Sequence, residues 1–272
     1  MSYFNYKGKQ IYYEVHGTGK TIVILNGIMM STISWIPFID AFSANNQLIL
    51  IDMLDQGRSD KMEGISYTSL EQVEVLKTLA DELGFDKLNI VGISYGGEVA
   101  LQFAVKYSDM IERLVLFNTT GKTSSWLRDI GEAWNRSIND PMDYYCTTIP
   151  YIYSPRFYEE KHEWMEKRKA LLTNGVFYDK TFMDSMVRLT KSADFYDVIK
   201  ELHKIKNPTL IVSSGNDFVT PLDEQKVLNQ LITSSEHIIL PNTGHASMYE
   251  RPTLFSALAL GFINLKQTEF NI

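Results

Sequence analysis

The chain has 272 residues, 44% of them hydrophobic and 22% charged, with a formal net charge of −7. That length suits one large α/β domain, or a domain carrying an insert, around a substantial core. The balance excludes a disordered or fibrous chain, and its acidity argues against binding to nucleic acid or anionic membranes.

A single cysteine, Cys146, rules out an intramolecular disulfide and a cysteine zinc cage. With no identifiable base partner, it reads as a structural thiol. Met1 to Lys7 lacks the basic start and apolar core of a signal peptide, and no apolar run is long enough to span a bilayer. The expected setting is cytoplasmic, as a monomer or homodimer acting on a small-molecule substrate.

Tyr3 to His16 alternates around Lys7-Gly8-Lys9 and predicts an antiparallel hairpin. Thr21 to Leu25 is apolar on both faces, as a buried central strand requires. The loop leaving that strand, Asn26 to Trp35, is placed to offer a backbone N–H to a developing oxyanion. Ile28 is the expected donor, with Met29 as the alternative. Trp35 to Phe42 reads as a helix and Gln47 to Asp52 as the next buried strand. Asp52 and Arg58, in the polar turn after it, read as a structural ion pair. Ser69 to Gly84 predicts a helix capped by Ser69 and stopped by Gly84.

Leu88 to Ile93 is an apolar run that turns on Gly92-Ile93-Ser94-Tyr95-Gly96 and continues as the good helix former Glu98 to Ala104. A serine at such a strand–turn–helix point is held in a strained conformation. Its neighbours are glycine because Cβ atoms there would meet the adjoining strand and helix. The helix N-terminus behind it offers further N–H groups to an oxyanion. Ser94 is therefore the candidate nucleophile. Ile111 to Asn118 follows as another strand, and strands alternating with helices at this spacing argue for a parallel sheet.

From about Gly121 to Lys206 the rhythm breaks. This segment is helical in tendency and rich in aromatic and sulfur side chains, and it predicts a helical cap over the C-terminal edge of the sheet. Most of these side chains should form the cap's own core. Trp126 and Tyr151, with Met29 from the sheet side, are the candidates to line an apolar substrate pocket. The domain reading is thus a core of residues 1–120 and 207–272, with a cap of residues 121–206. The sheet resumes at Thr209 to Ser214. Then come the loop Gly215 to Pro221, a helix from Leu222 to Ile232, a strand from His237 to Leu240, the loop Pro241 to Met248, and a closing helix from Pro252 to Leu265.

Asp217 and His245 each follow the C-terminal end of a buried strand, so both loops open on the edge that carries Ser94. An imidazole there can take the serine proton, while the carboxylate sets its tautomer and stabilises the imidazolium. The chain order Ser94, Asp217, His245 matches this arrangement.

On these motifs the sequence resembles the α/β-hydrolase superfamily over nearly its whole length, in the capped branch of small esterases and related hydrolases. Leu25-Asn26-Gly27-Ile28 resembles the His-Gly oxyanion loop, and Asp52 to Ser59 the Asp-x-x-Gly-x-Gly-x-Ser turn. Gly215-Asn216-Asp217 resembles the acid loop and Gly244-His245 the histidine loop. Asn26 stands where His is usual, and Asp55 where the turn's first Gly is usual. The resemblance implies an α/β fold with an eight-stranded, mostly parallel sheet, and oxyanion donors from the Ile28 and Tyr95 amides. The expected activity is a hydrolase without metal or cofactor, acting on a carboxylic ester with an apolar or aromatic part, a class suggested by the aromatic cap. A thioester, or a carbon–carbon bond beside a ketone, is the alternative target of the same triad. A serine at the elbow argues against the dehalogenase and epoxide hydrolase relatives, which attack with Asp. Some members of the superfamily act instead as ligand receptors with little turnover, which forms the second class of reading.

Overall fold

Residues 2–265 are described by the computed structural model, beginning with the expected hairpin. β1 (Ser2–Tyr6) and β2 (Lys9–His16) pair antiparallel across Lys7 and Gly8, whose φ values of 48° and 84° make the tight turn. β3 (Lys20–Leu25) and β4 (Asn46–Ile51) are the next strands, then β5 (Leu88–Ile93), β6 (Ile111–Phe117), β7 (Thr209–Ser214) and β8 (Ser235–Leu240). They form one sheet in the order β1-β2-β4-β3-β5-β6-β7-β8. β2 runs antiparallel to its neighbours and the other pairings are parallel. Val23, Ile24, Ile90, Val91, Leu114 and Val115 are buried because helices cover both faces, which is why these strands read as unbroken apolar runs.

The helix expected over Trp35 to Phe42 is divided. A 3₁₀ segment spans Thr32–Phe38, and α1 (Ile39–Ser43) begins only after Pro37, which has no N–H to continue the ladder. In α2 (Ser69–Glu82) the N-cap is Thr68, not Ser69. The Ser69 hydroxyl instead accepts a 2.9 Å hydrogen bond from the Gln102 amide of α3 (Tyr95–Lys106).

Five helices lie between β6 and β7: α4 (Ser125–Ser137), α5 (Pro141–Ile152), α6 (Pro155–Glu160), α7 (His162–Thr173) and α8 (Lys180–Ser192). Local chemistry starts four of them. Ser124, Asp140, Ser154 and Asp179 each accept from a backbone N–H in the following turn, and α5 and α6 have proline in their first turn. The insert returns to the sheet through a bridge between Lys122 and Asp197 and a 3₁₀ turn, Ile199–Lys204, packed on α3. After β7 come α9 (Leu222–Leu231), the unforeseen α10 (Ser247–Glu250), and α11 (Pro252–Asn264). The end of the expected core range, 266–272, lies outside the described residues. Cys146 sits on the exposed face of α5, so it is not the packed structural thiol its sequence setting suggested. Among the described residues no helix is long and apolar enough to cross a membrane.

Candidate active site

β5 is central in the sheet, and the turn after it puts Ser94 at φ 53° and ψ −122°, a conformation that non-glycine residues seldom adopt. The flanking glycines are forced by contact. A Cβ on Gly92 would lie 2.7 Å from the Gly97 Cα, and one on Gly96 would overlap the Leu25 carbonyl. The Ser94 amide donates to the Phe117 carbonyl (3.0 Å), and its carbonyl accepts from the Thr119 hydroxyl (2.8 Å). The strain is therefore held from both sides.

The loops after β7 and β8 bring the other two residues to this turn. His245 Nε2 lies 2.8 Å from Ser94 Oγ, and its Nδ1 lies 3.0 and 2.9 Å from the two carboxyl oxygens of Asp217. A carboxylate at Nδ1 favours the tautomer with the proton there, leaving Nε2 as an acceptor for the serine hydroxyl. Asp217 is 5% exposed. Burial opposes its ionisation, but the neighbouring imidazole and several donors outweigh that and hold its carboxyl below the usual range. The donors are the Val219 and Thr220 amides, the Thr220 hydroxyl, and the side chains of Asn118 and Gln225, at 2.9–3.2 Å. Sequence reasoning missed Asn118, Thr220 and Gln225 as supports. The only available signal was their proximity to the ends of β6 and β7.

Ile28 and Tyr95 both border the cavity in front of Ser94. Among the described residues neither backbone amide has a protein acceptor. The loop bearing Ile28 is braced from behind. Asn26, where the family has His, donates to the Ile51 carbonyl (2.8 Å) and Gln56 (3.1 Å), and accepts from the Trp35 indole (2.7 Å). Gln56 in turn donates to the Gly27 carbonyl (3.0 Å). Asp52 and Arg58 do not form the expected side-chain ion pair. Asp52 accepts from the backbone amides of Thr32 (2.6 Å) and Arg58 (2.9 Å), while the Arg58 guanidinium turns to Tyr12 and Glu14. A buried carboxylate this close to two orphan amides is satisfied locally, so the arginine is free to lie over the Tyr12 ring.

Above Ser94 and His245 lies a cavity of about 530 Å³. The insert lines it with Leu127, Trp134, Ile149, Tyr153 and Phe177, and Met29 lines it from the sheet side. Trp126 and Tyr151 do not line it. Trp126 is 50% exposed and its indole donates to the Phe218 carbonyl; Tyr151 is 45% exposed. Each sits one residue from a lining position, Leu127 and Ile152. One residue along a helix is a rotation of about 100° to another face. Two polar groups also border the cavity without a carboxylate or donor to match. The Arg168 guanidinium lies over the rings of Tyr153, Trp164 and Tyr249, and its Nε is buried without a partner among the described residues. Glu98, in the first turn of α3, has Oε2 in the same state, and burial pushes its carboxyl up to about 8.

Two further contacts join insert and sheet edge. Glu250 of α10 accepts from the Ser154 amide and hydroxyl (2.6 and 2.7 Å) and the Gly244 amide (3.1 Å), tying the histidine loop to the start of α6. Asp55, at φ 67°, accepts from Arg188 of α8 at 2.6 and 2.9 Å. Nothing local in the sequence pairs these residues, which stand 96 and 133 positions apart.

A family model for the α/β hydrolase fold matches residues 20–252. The chain belongs to this family, and it is a hydrolase. The crystal structure of MGS-M2, an α/β-hydrolase enzyme from a Medee basin deep-sea metagenome library, is 53% identical with a TM-score of 0.97, and the match covers 100% of both chains. A relative of Caulobacter sp. strain K31 that bears the name "Putative carbamate hydrolase RutD" is 23% identical over 93% of this chain and 96% of its own length. A 2-hydroxy-6-oxo-2,4-heptadienoate hydrolase of Pseudomonas putida is 25% identical over 91% and 90%. Within the α/β-hydrolase frame, Asn26 is part of the brace behind the loop that bears Ile28, and Asp55 is the anchor for α8.

Proposed function

We propose that this α/β-hydrolase cleaves an ester bond of a small, partly apolar substrate through an acyl-enzyme on Ser94. The observation that carries the reading is the unbroken chain of contacts from Ser94 Oγ through His245 to Asp217, beneath a largely apolar cavity. Ser94 attacks the carbonyl as His245 Nε2 takes its proton. The amides of Ile28 and Tyr95 receive the negative oxygen, and His245 then protonates the leaving group and activates the water that frees the acid. Asp217 stabilises the imidazolium in both steps. The α4–α8 insert serves as the cap that gives the pocket its shape, with Met29 touching the substrate beside the oxyanion loop.

One observation favours a second reading. The unmatched Arg168 suits a substrate that carries a carboxylate, as the Pseudomonas putida relative's named substrate does, and the same triad then breaks a carbon–carbon bond beside a ketone.

The test is labelling by an alkyl fluorophosphonate together with turnover of a p-nitrophenyl ester series and of 2-hydroxy-6-oxo-2,4-heptadienoate. The expected outcome is labelling at Ser94 and ester hydrolysis, both lost in Ser94→Ala. Faster turnover of the dienoate than of every ester would move the carbon–carbon reading ahead. An unlabelled, inactive wild type would sink both readings and favour a receptor.

A further inference from the structure

We propose that Glu98 is a specificity-determining residue that binds a neutral hydroxyl or primary amide on the acyl part of the substrate, an inference that rests on the serine-hydrolase reading above. Glu98 stands one helical turn beyond the nucleophile, and its amide donates to the Ser94 carbonyl at 3.1 Å, so its position is set by the elbow itself. It is 4% exposed and borders the cavity, yet its carboxyl has no hydrogen-bond partner among the described residues; Oε2 is closed off from the cavity, so a ligand meets the carboxyl at its other oxygen. Buried polar groups in native proteins are almost always satisfied, and one left open on a pocket points to a partner that arrives with the ligand.

The protein's own nearby hydroxyls are committed elsewhere. Tyr95 shares a 2.8 Å hydrogen bond with Ser192, and Tyr196 donates to the Thr120 carbonyl at 3.0 Å. Both phenols lie close to Glu98. With burial keeping the acid protonated at neutral pH, the oxygen on the cavity side offers either the O–H donor or the carbonyl acceptor. A group that can both donate and accept meets it in either form. An ammonium fits less well, because Arg128 and Arg168 border the same cavity, and a carboxylate is better met by Arg168.

The acyl side follows from the triad. His245 must face the leaving group to protonate it, and the wall beside His245 is built by Ile152, Tyr153 and Tyr249. Glu98 stands on the helix that begins at Tyr95, whose phenol meets Ser192 of the insert. The adjoining Thr123, whose hydroxyl donates to the Ala193 carbonyl at 2.6 Å, and Asp194 border the cavity with it.

The experiment compares p-nitrophenyl 6-hydroxyhexanoate and its longer homologues with the isosteric n-acyl esters, heptanoate for the first. Wild type, Glu98→Gln and Glu98→Leu are each checked for fluorophosphonate labelling at Ser94. Wild type should favour at least one hydroxy ester over its partner by about tenfold or more in kcat/KM. Glu98→Leu should bring the ratio to about one or reverse it. Glu98→Gln should keep most of the preference, because a carboxamide offers the same donor and acceptor. A labelled wild type with no such preference, or a preference that survives in a labelled Glu98→Leu, overturns the proposal and leaves the serine-hydrolase reading standing. A wild type that is not labelled falls on that reading instead.

Discussion

Asp217 and Glu98 are carboxyl groups buried at the edge of the sheet that carries Ser94, and the protein treats them in opposite ways. Asp217 sits in a loop whose amides turn inward, and Asn118, Thr220 and Gln225 converge on it from three elements. Its carboxyl is held below the usual range even though burial works against it. Glu98 sits against an apolar cavity with no donor aimed at its carboxyl, and nothing offsets burial, which lifts it to about 8. The difference teaches that depth alone does not decide the charge of a carboxyl; the count of donors aimed at it does. In an active site that split separates an ion-pairing role from a neutral hydrogen-bonding one.

Replacing the carboxylate in the donor-rich niche should have the largest effect. Asp217→Asn keeps the shape but removes the charge that stabilises the imidazolium and sets its tautomer. On the serine-hydrolase reading kcat for a p-nitrophenyl ester should fall by roughly 10⁴-fold, while circular dichroism reports an intact fold. A fall of less than about tenfold would mean that the carboxylate is not the partner of His245.

Asp55 is another buried carboxyl and sharpens the contrast, since a cation from the insert and one backbone amide, that of Met62, meet it rather than a ring of donors. Arg188→Met leaves that charge buried without its partner and should destabilise the chain by about 3 kcal/mol in urea unfolding. A loss within about 0.5 kcal/mol would show that solvent already reaches the pair.

The effect at Glu98 is one of pH, and its sign is fixed by linkage. The folded chain holds this proton more tightly than the unfolded one, so the acid contributes stability below its ordinary pKa of 4.5 and loses it as pH rises toward about 8. Wild type should therefore lose stability relative to Glu98→Gln across that window, by at most about 1.4 kcal/mol per pH unit. Melting temperatures of the two proteins near pH 5 and near pH 9 would read this. Parallel curves would place a charge-neutralising donor beside Glu98 and collapse its contrast with Asp217.

Much of the sheet and of the site's reacting edge was legible in the sequence because both rest on short-range rules. Buried parallel strands read as apolar runs such as Thr21 to Leu25, and the elbow needs its glycines within two residues of Ser94. The helix breaks at Pro37 and the shifted cap at Thr68 are errors of a residue or a turn, where local signals compete. The pocket was the less legible part. Trp126 and Tyr151 were chosen as large aromatics in the right segment, but a rotation of one residue on α4 and α5 turns them to solvent and brings Leu127 and Ile152 inward. The Asp52–Arg58 pair failed for a similar reason, since two backbone amides reached the carboxylate first.

The sequence by itself determined the family, the order of strands and helices, and the candidate residues Ser94, Asp217 and His245, because each is written in a stretch of chain that folds under its own backbone constraints. Tertiary structure alone decided which helix faces close the cavity, how Asp55 and Glu250 fasten the insert, and that Glu98 is left without a partner while Asp217 is surrounded. Those outcomes depend on groups about a hundred residues apart meeting within 3 Å, and a contact of that kind leaves no periodic trace along the chain.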